Sequence, residues 1–132
     1  MIKFYMRKLV RDKIIEIIKD NGGKPVYRTI EGKEYINELL TKLEEEMREL
    51  MEVKDGDIEN IKNEIADVQE IINNLLIALK ISKIDLTTKQ REKIKSTGGF
   101  KKKIFVETVS FEESNTKLIE YYRKKGWKEE RV

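Results

Sequence analysis

The chain contains neither cysteine nor histidine. Without cysteine it can form no disulfide, no thiolate nucleophile and no structural zinc cluster. Without histidine it has no imidazole base, no Ser-His-Asp or Cys-His machinery and no nitrogen ligand for a transition metal. These absences favour oxygen ligands and a hard cation such as Mg²⁺ or Mn²⁺ as the means of any chemistry near neutral pH.

Proline, linker sequence and long apolar runs are also scarce. Pro25 is the only proline, and no tract rich in Gly, Pro or Ser divides the 132 residues. A chain of this length suits one domain with a core of its own. No apolar run reaches the roughly 20 residues that a membrane span requires, and the N-terminal "MIKFYMRKLVRDK" is too charged for a secretory signal. We therefore expect a cytoplasmic protein with no membrane partner.

The charges are distributed unevenly, although the net charge is only +3. Residues 1–28 carry eight Lys or Arg against three Asp or Glu, and residues 89–103 carry seven against one. Between them, residues 44–70 carry three against eleven. An acidic centre flanked by basic segments can hold a metal ion and the polyanion that accompanies it. The same counts also suit a surface with patchy, solvated charge, and the acidic centre argues against a nucleic acid partner.

Apolar periodicity predicts a pair of long helices, over residues 33–54 and 58–80. Asp55-Gly56-Asp57 interrupts the pattern as a tight turn. So short a connection forces neighbouring helices to run antiparallel, as an αα-hairpin.

Shorter elements flank this hairpin. "LVRDKIIEIIKDNGG" predicts a short helix that ends at Asn21-Gly22-Gly23, and Ser82 with Asp85 predicts a capping box for a helix that ends near Gly98. A last helix is expected before Gly126, while "KPVYRTI" and "KKIFVETV" are typical of extended segments, the latter of a strand. The expected fold class is all-α, or mainly α: an antiparallel helical hairpin or bundle with two short extended segments that are candidates for pairing.

Each helix of the hairpin carries one acid within its apolar face and a second acid at the edge of that face. At 100° per residue, Glu46 falls within the apolar stripe and Glu49 at its margin. Glu64 and Asp67 stand in the same relation on the second helix. In an antiparallel hairpin facing residues have a constant sum of residue numbers, and Glu49 with Glu64 has the same sum as Glu46 with Asp67. Four carboxylates at adjacent levels repel and lose hydration, which a divalent cation would relieve. The alternative is that the acids meet lysines or lie beyond the edge of the core.

These residues resemble a known signature. "EEMRE" followed by "EIAD" is similar to the EExxE…ExxD pattern of the all-α nucleoside triphosphate pyrophosphohydrolases, the superfamily of MazG, the dimeric dUTPases and phosphoribosyl-ATP pyrophosphohydrolase. "KLVRDKIIEII" and "GGFKKKIFVE" are similar to its MazG-related, phosphoribosyl-ATP pyrophosphohydrolase-like branch. The resemblance covers roughly residues 7–109 and predicts a pyrophosphohydrolase domain over 1–109, with residues 110–132 as a helical extension of the same domain.

The resemblance implies Mg²⁺-dependent hydrolysis of a nucleotide between its α- and β-phosphates. Carried over by position, the metal ligands are Glu46, Glu49, Glu64 and Asp67. The catalytic acids are Glu45, Glu46 and Glu49, with Glu45 orienting water or acting behind the ligands. Candidate substrate-binding residues are Arg11, Lys13, Asn74, Lys102 and Lys103, for each of which a solvated polar side chain is the plain alternative.

Two positions depart from the pattern of related sequences. Lys101 follows "GGF" where an acid is frequent, and Ile15 stands where "RDKIPE" has proline. Because of these two differences, the resemblance specifies the substrate-binding part of the site less closely than the metal-binding part. Because the superfamily completes its sites with further subunits, and because one hairpin leaves much apolar surface, we expect a homodimer or homotetramer.

The sequence favours one function over two alternatives. The favoured function is a pyrophosphohydrolase acting on canonical or damaged NTPs or dNTPs, and the enzymatic alternative is phosphoribosyl-ATP pyrophosphohydrolase of histidine biosynthesis. A catalytically silent helical interaction module belongs to another class, against which four facing acids argue. The base and sugar preference and the role of Trp127 are left open.

Overall fold

A computed structural model describes the whole chain, Met1–Val132, and contains helices but no strand. The all-α expectation is therefore confirmed. The helices are α1 (Ile14–Asp20), α2 (Gly32–Glu52), α3 (Ile58–Ala78), α4 (Lys83–Thr97) and α5 (Thr116–Lys124). None of the five is both long and apolar enough to cross a membrane.

Helices α2 and α3 form the predicted hairpin and pack against each other. The turn between them depends on Gly56, whose φ of 83° lies in the left-handed region that glycine adopts without strain. Asp57 then caps α3, because its side chain accepts a hydrogen bond from the backbone N–H of Asn60 at 3.3 Å. In this antiparallel hairpin, a residue of α2 and a residue of α3 lie side by side when their residue numbers have the same constant sum.

The core of the hairpin is small. Leu39 of α2 and Ile71 of α3 are the only apolar residues that are buried, and the one buried charged residue is Glu46. Large apolar side chains lie exposed on the other faces of these helices, among them Met51 and Ile77. Burial of an acid in so small a core, while apolar side chains stay exposed, marks the level of Glu46 as unusual.

The predicted starts and stops of the shorter helices are largely confirmed. The backbone N–H of Asp85 donates to the Ser82 hydroxyl at 3.1 Å, which is one half of a capping box. Helix α4 ends at Thr97, immediately before Gly98, whose φ is 84°. Helix α1 begins only at Ile14, later than the apolar pattern from Leu9 suggested.

The expected strand is wrong. Residues 103–110, which include "KIFVETV", form neither helix nor strand and are exposed throughout. Residues 23–31, which include "KPVYRTI", are likewise irregular and form no strand. A strand needs a second backbone to satisfy its N–H and C=O groups, and β-propensity alone does not supply one.

The chain divides into two compact units, Met1–Glu92 and Lys93–Val132. The second unit has its own aromatic cluster around Tyr122, whose ring lies 5.0 Å from those of both Phe111 and Trp127. Near the C-terminus, the Arg123 guanidinium donates two hydrogen bonds to the Glu129 carboxylate, at 2.8 and 2.6 Å. The Trp127 ring therefore contacts Tyr122 of α5.

Candidate metal centre

The acids of α2 and α3 converge at one level of the hairpin. Glu46, Glu64 and Asp67 each offer a carboxylate oxygen, and these three oxygens lie within 4.8 Å of one another. The spacing of three residues between Glu64 and Asp67 puts both on the side of α3 that faces α2. We call these three residues the acidic cluster.

Two oxygens of the acidic cluster are buried without a partner. Glu46 is 7% exposed, and neither its Oε2 nor the Oε2 of Glu64 accepts a hydrogen bond. An ionised carboxylate removed from water without compensation is costly, and native proteins rarely leave one in that state. The unpartnered oxygens are therefore the observation that points to a binding site for a cation.

The electrostatics agree with this crowding. Burial raises the pKa of Glu46, and the negative charges of Glu49 and Asp67 raise it further, against the opposing charge of Lys42. Burial also raises the pKa of Glu64, and the neighbouring Glu46 carboxyl adds to the effect. Both shifts mean that the protein disfavours the charged form of these acids in the absence of a cation.

Glu49, the fourth predicted ligand, lies at the rim of the acidic cluster. It is exposed and does not belong to the set of three mutually close acids. Its carboxylate is nevertheless near enough to Glu46 and Glu64 to influence the pKa of both. Glu49 is thus an exposed acid beside the acidic cluster.

Glu45 points to a different set of neighbours. Its carboxylate pairs with Lys8 at 3.0 Å and with Lys42 at 3.8 Å. The Lys8 ammonium, followed by Lys42, lowers the pKa of Glu45 below its usual range. Glu45 therefore does not belong to the acidic cluster, and its role in orienting water or behind the metal ligands stays a prediction.

Basic side chains approach the acids from two directions. Arg11, a predicted substrate-binding residue, pairs with Asp67 at 2.5 Å. Lys42, which is only 20% exposed, lies 3.5 Å from Glu46. Sequence reasoning missed Lys42, although its i,i+3 and i,i+4 spacing to Glu45 and Glu46 is a usable signal. It also missed Lys8, for which no local signal exists because the contact spans 37 residues.

The remaining predicted substrate residues are Asn74, on α3, and three exposed lysines. Asn74 lies two turns beyond Asp67 on α3 and donates to the backbone oxygen and the carboxylate of Glu70, at 2.8 and 2.9 Å. It lines a cavity of about 350 Å³ at that end of the helix. Lys13 precedes α1 and is exposed, as are Lys102 and Lys103 in the second unit, and none of the three forms an ion pair.

The donor set defines what the centre could hold. It consists of carboxylate oxygens only, from Glu46, Glu64 and Asp67, with Glu49 within reach at the rim. Oxygen-only ligands suit the hard divalent cations, and a few carboxylates with room for water are typical of Mg²⁺ sites. The orphaned oxygens and the donor chemistry both fit such an ion.

Comparison with known proteins yields little that names an activity. No protein-family model matches the chain, and no solved structure matches it. An uncharacterised protein of Mycolicibacterium smegmatis is 49% identical over 45 residues, which is 34% of this chain and 46% of that protein. The match thus covers about half the length of this relative, whose name carries no function.

Proposed function

We propose that the protein is a Mg²⁺-dependent nucleotide pyrophosphohydrolase of the MazG-like type, with Mn²⁺ as an alternative metal. The proposal is carried by the acidic cluster, in which buried and unpartnered carboxylate oxygens of α2 and α3 converge. The EExxE…ExxD pattern occupies the same positions. The absence of histidine and cysteine also suits a reaction that needs neither.

The proposed reaction is hydrolysis between the α- and β-phosphates. Water adds to phosphorus, the bridging P–O bond breaks, and a nucleoside monophosphate and pyrophosphate leave. A bound divalent cation supplies neutralisation of phosphate charge and a lower pKa for a coordinated water. Glu46, Glu64 and Asp67 would hold the cation, and Glu49 is the exposed carboxylate that can reach an incoming water and accept its proton.

Product analysis tests the proposal directly. The purified protein is incubated with Mg²⁺ and a panel of NTPs, dNTPs and phosphoribosyl-ATP, and the products are identified by chromatography. We expect a monophosphate and pyrophosphate from one or more NTPs or dNTPs. Turnover of phosphoribosyl-ATP alone would select the biosynthetic alternative. Orthophosphate with a diphosphate, or no product from any member, would contradict the proposed reaction, and the second result would favour the silent module.

We propose further that the protein is a homodimer or homotetramer in which α2 meets α2 of a second copy. Leu40, Met47 and Met51 line an open groove of about 470 Å³ on α2 and are half-exposed or more. Glu44 and Arg48 stand beside them, 2.8 Å apart within one helix. An antiparallel pairing about a two-fold axis brings Glu44 of each copy near Arg48 of the other, so the surface is self-complementary.

Substitution in this groove tests the assembly. Met47→Glu places a charge at the centre of the apolar surface and is expected to convert the protein to monomers of 15.7 kDa. Light scattering coupled to size exclusion measures the mass. Val26→Glu, at an exposed apolar residue of the loop before α2, is the control and should leave the oligomer intact. A parent protein that is already monomeric at high micromolar concentration would rule out this interface.

A further inference from the structure

Residues 8–11 connect the acids of both long helices, and we call this segment the basic strap. Its first residue, Lys8, pairs with Glu45 of α2, and its last, Arg11, pairs with Asp67 of α3. Between them Leu9 and Val10 are half-buried, which anchors the backbone of the strap. The strap thus contacts the hairpin at the level of the acidic cluster.

The ion pair at Arg11 serves one acid of the cluster only. Asp67 is neutralised by the guanidinium, whereas the Oε2 atoms of Glu46 and Glu64 stay without a partner. A divalent cation that binds all three carboxylates would share Asp67 with Arg11. Because two cations on one carboxylate repel, the ion and the guanidinium oppose each other there.

Both strap cations are free to change partner. The Arg11 side chain is 60% exposed and that of Lys8 is 41% exposed, so neither is locked in a desolvated pair. Exposed ion pairs are weak and exchange readily. A guanidinium released from Asp67 would lie beside a bound cation, where the phosphates of a metal-bound polyanion must also lie, and a guanidinium binds phosphate through two parallel hydrogen bonds.

We propose that the basic strap is a pair of counter-ions that change partner. Arg11 neutralises Asp67 and Lys8 neutralises Glu45 when no ligand is bound, and both hold the phosphates once a divalent cation has bound. This inference rests on the proposed function for the metal site. It predicts that the strap weakens binding of a metal ion alone and strengthens binding of a metal with a polyphosphate. The two ligands are therefore positively coupled through Arg11.

The test compares two affinities in the full-length chain, with Mn²⁺ and inorganic pyrophosphate as probes. For Arg11→Ala, we expect Mn²⁺ alone to bind roughly two- to fivefold more tightly, which is the range of an exposed ion pair. We expect pyrophosphate in saturating Mn²⁺ to bind about tenfold or more weakly, as for loss of a charged hydrogen bond. Isothermal titration calorimetry measures both.

Opposite shifts distinguish exchange from a merely structural role. Arg28→Ala is the matched control, because Arg28 makes an exposed forked pair with Glu34 that touches no residue of the acidic cluster; neither affinity should change. Arg11→Lys keeps the charge and should restore Mn²⁺ affinity towards that of the parent. If Arg11→Ala shifts the affinities for Mn²⁺ and for pyrophosphate in the same direction, or shifts neither, the inference about the basic strap is wrong but the proposed metal site is unaffected. Failure of the parent to bind Mn²⁺ at all would overturn both.

Discussion

Glu49→Gln is expected to lower turnover by about a hundredfold or more while the fold stays intact. Loss of an outer partner of a metal site already costs roughly 10- to 100-fold, and Glu49 is the exposed acid beside the proposed ligands. The substitution changes charge without changing size. Steady-state kinetics with the nucleotide found by product analysis measures the effect, and circular dichroism checks the fold.

A neighbouring glutamate provides the control for this prediction. Glu52 lies one turn further along α2, is exposed and takes part in no ion pair, so Glu52→Gln should retain full turnover. Added Mg²⁺ should also raise the melting temperature of Glu49→Gln less than that of the parent, because a ligand that binds the native state more weakly stabilises it less at the same concentration. Equal activity in parent and Glu49→Gln would remove Glu49 from the proposed site.

The acidic cluster could be predicted because it depends on two regular geometries. Helical periodicity places Glu64 and Asp67 on one face, and the turn at Gly56 sets the register of that face against α2. Both rules hold within each helix and across a short connection, whatever the rest of the chain does. The predicted convergence of Glu46 with Asp67 and Glu64 is accordingly present.

Contacts that cross long stretches of irregular chain could not be predicted in the same way. Arg11 and Asp67 are 56 residues apart, and no periodicity relates a residue before α1 to one within α3. The strand expected around "KIFVETV" failed for a related reason, since apolar and β-branched residues indicate a preference that only a pairing partner can satisfy. Local rules therefore account for the acids and for Lys42 on the same helix, but not for Lys8 and Arg11, whose contacts cross long stretches of chain.

A second large effect is expected from Glu46→Gln in the presence of a chelator. Glu46 is buried and its pKa is raised above the ordinary value of 4.5, first by burial and then by Glu49 and Asp67. The native state then binds a proton more tightly than the unfolded chain does. The free energy of unfolding therefore falls as the pH rises from the ordinary pKa through the raised one. Removing the charge should stabilise the metal-free protein by about 1 kcal/mol at pH 7.

The stability difference between Glu46→Gln and the parent should depend on pH and on added metal. A difference caused only by altered packing would depend on neither. Below the ordinary pKa the parent's Glu46 is protonated, so urea unfolding at pH 4 should show the two proteins to be nearly equal. Saturating Mg²⁺ at pH 7 should reverse the order, because the parent gains binding energy that Glu46→Gln forgoes. Glu59→Gln, at an exposed glutamate paired with Lys62, should change stability little under every condition. A Glu46→Gln protein that is less stable than the parent in chelator at pH 7 would mean that Lys42 already compensates the buried charge, and that no cation is needed there.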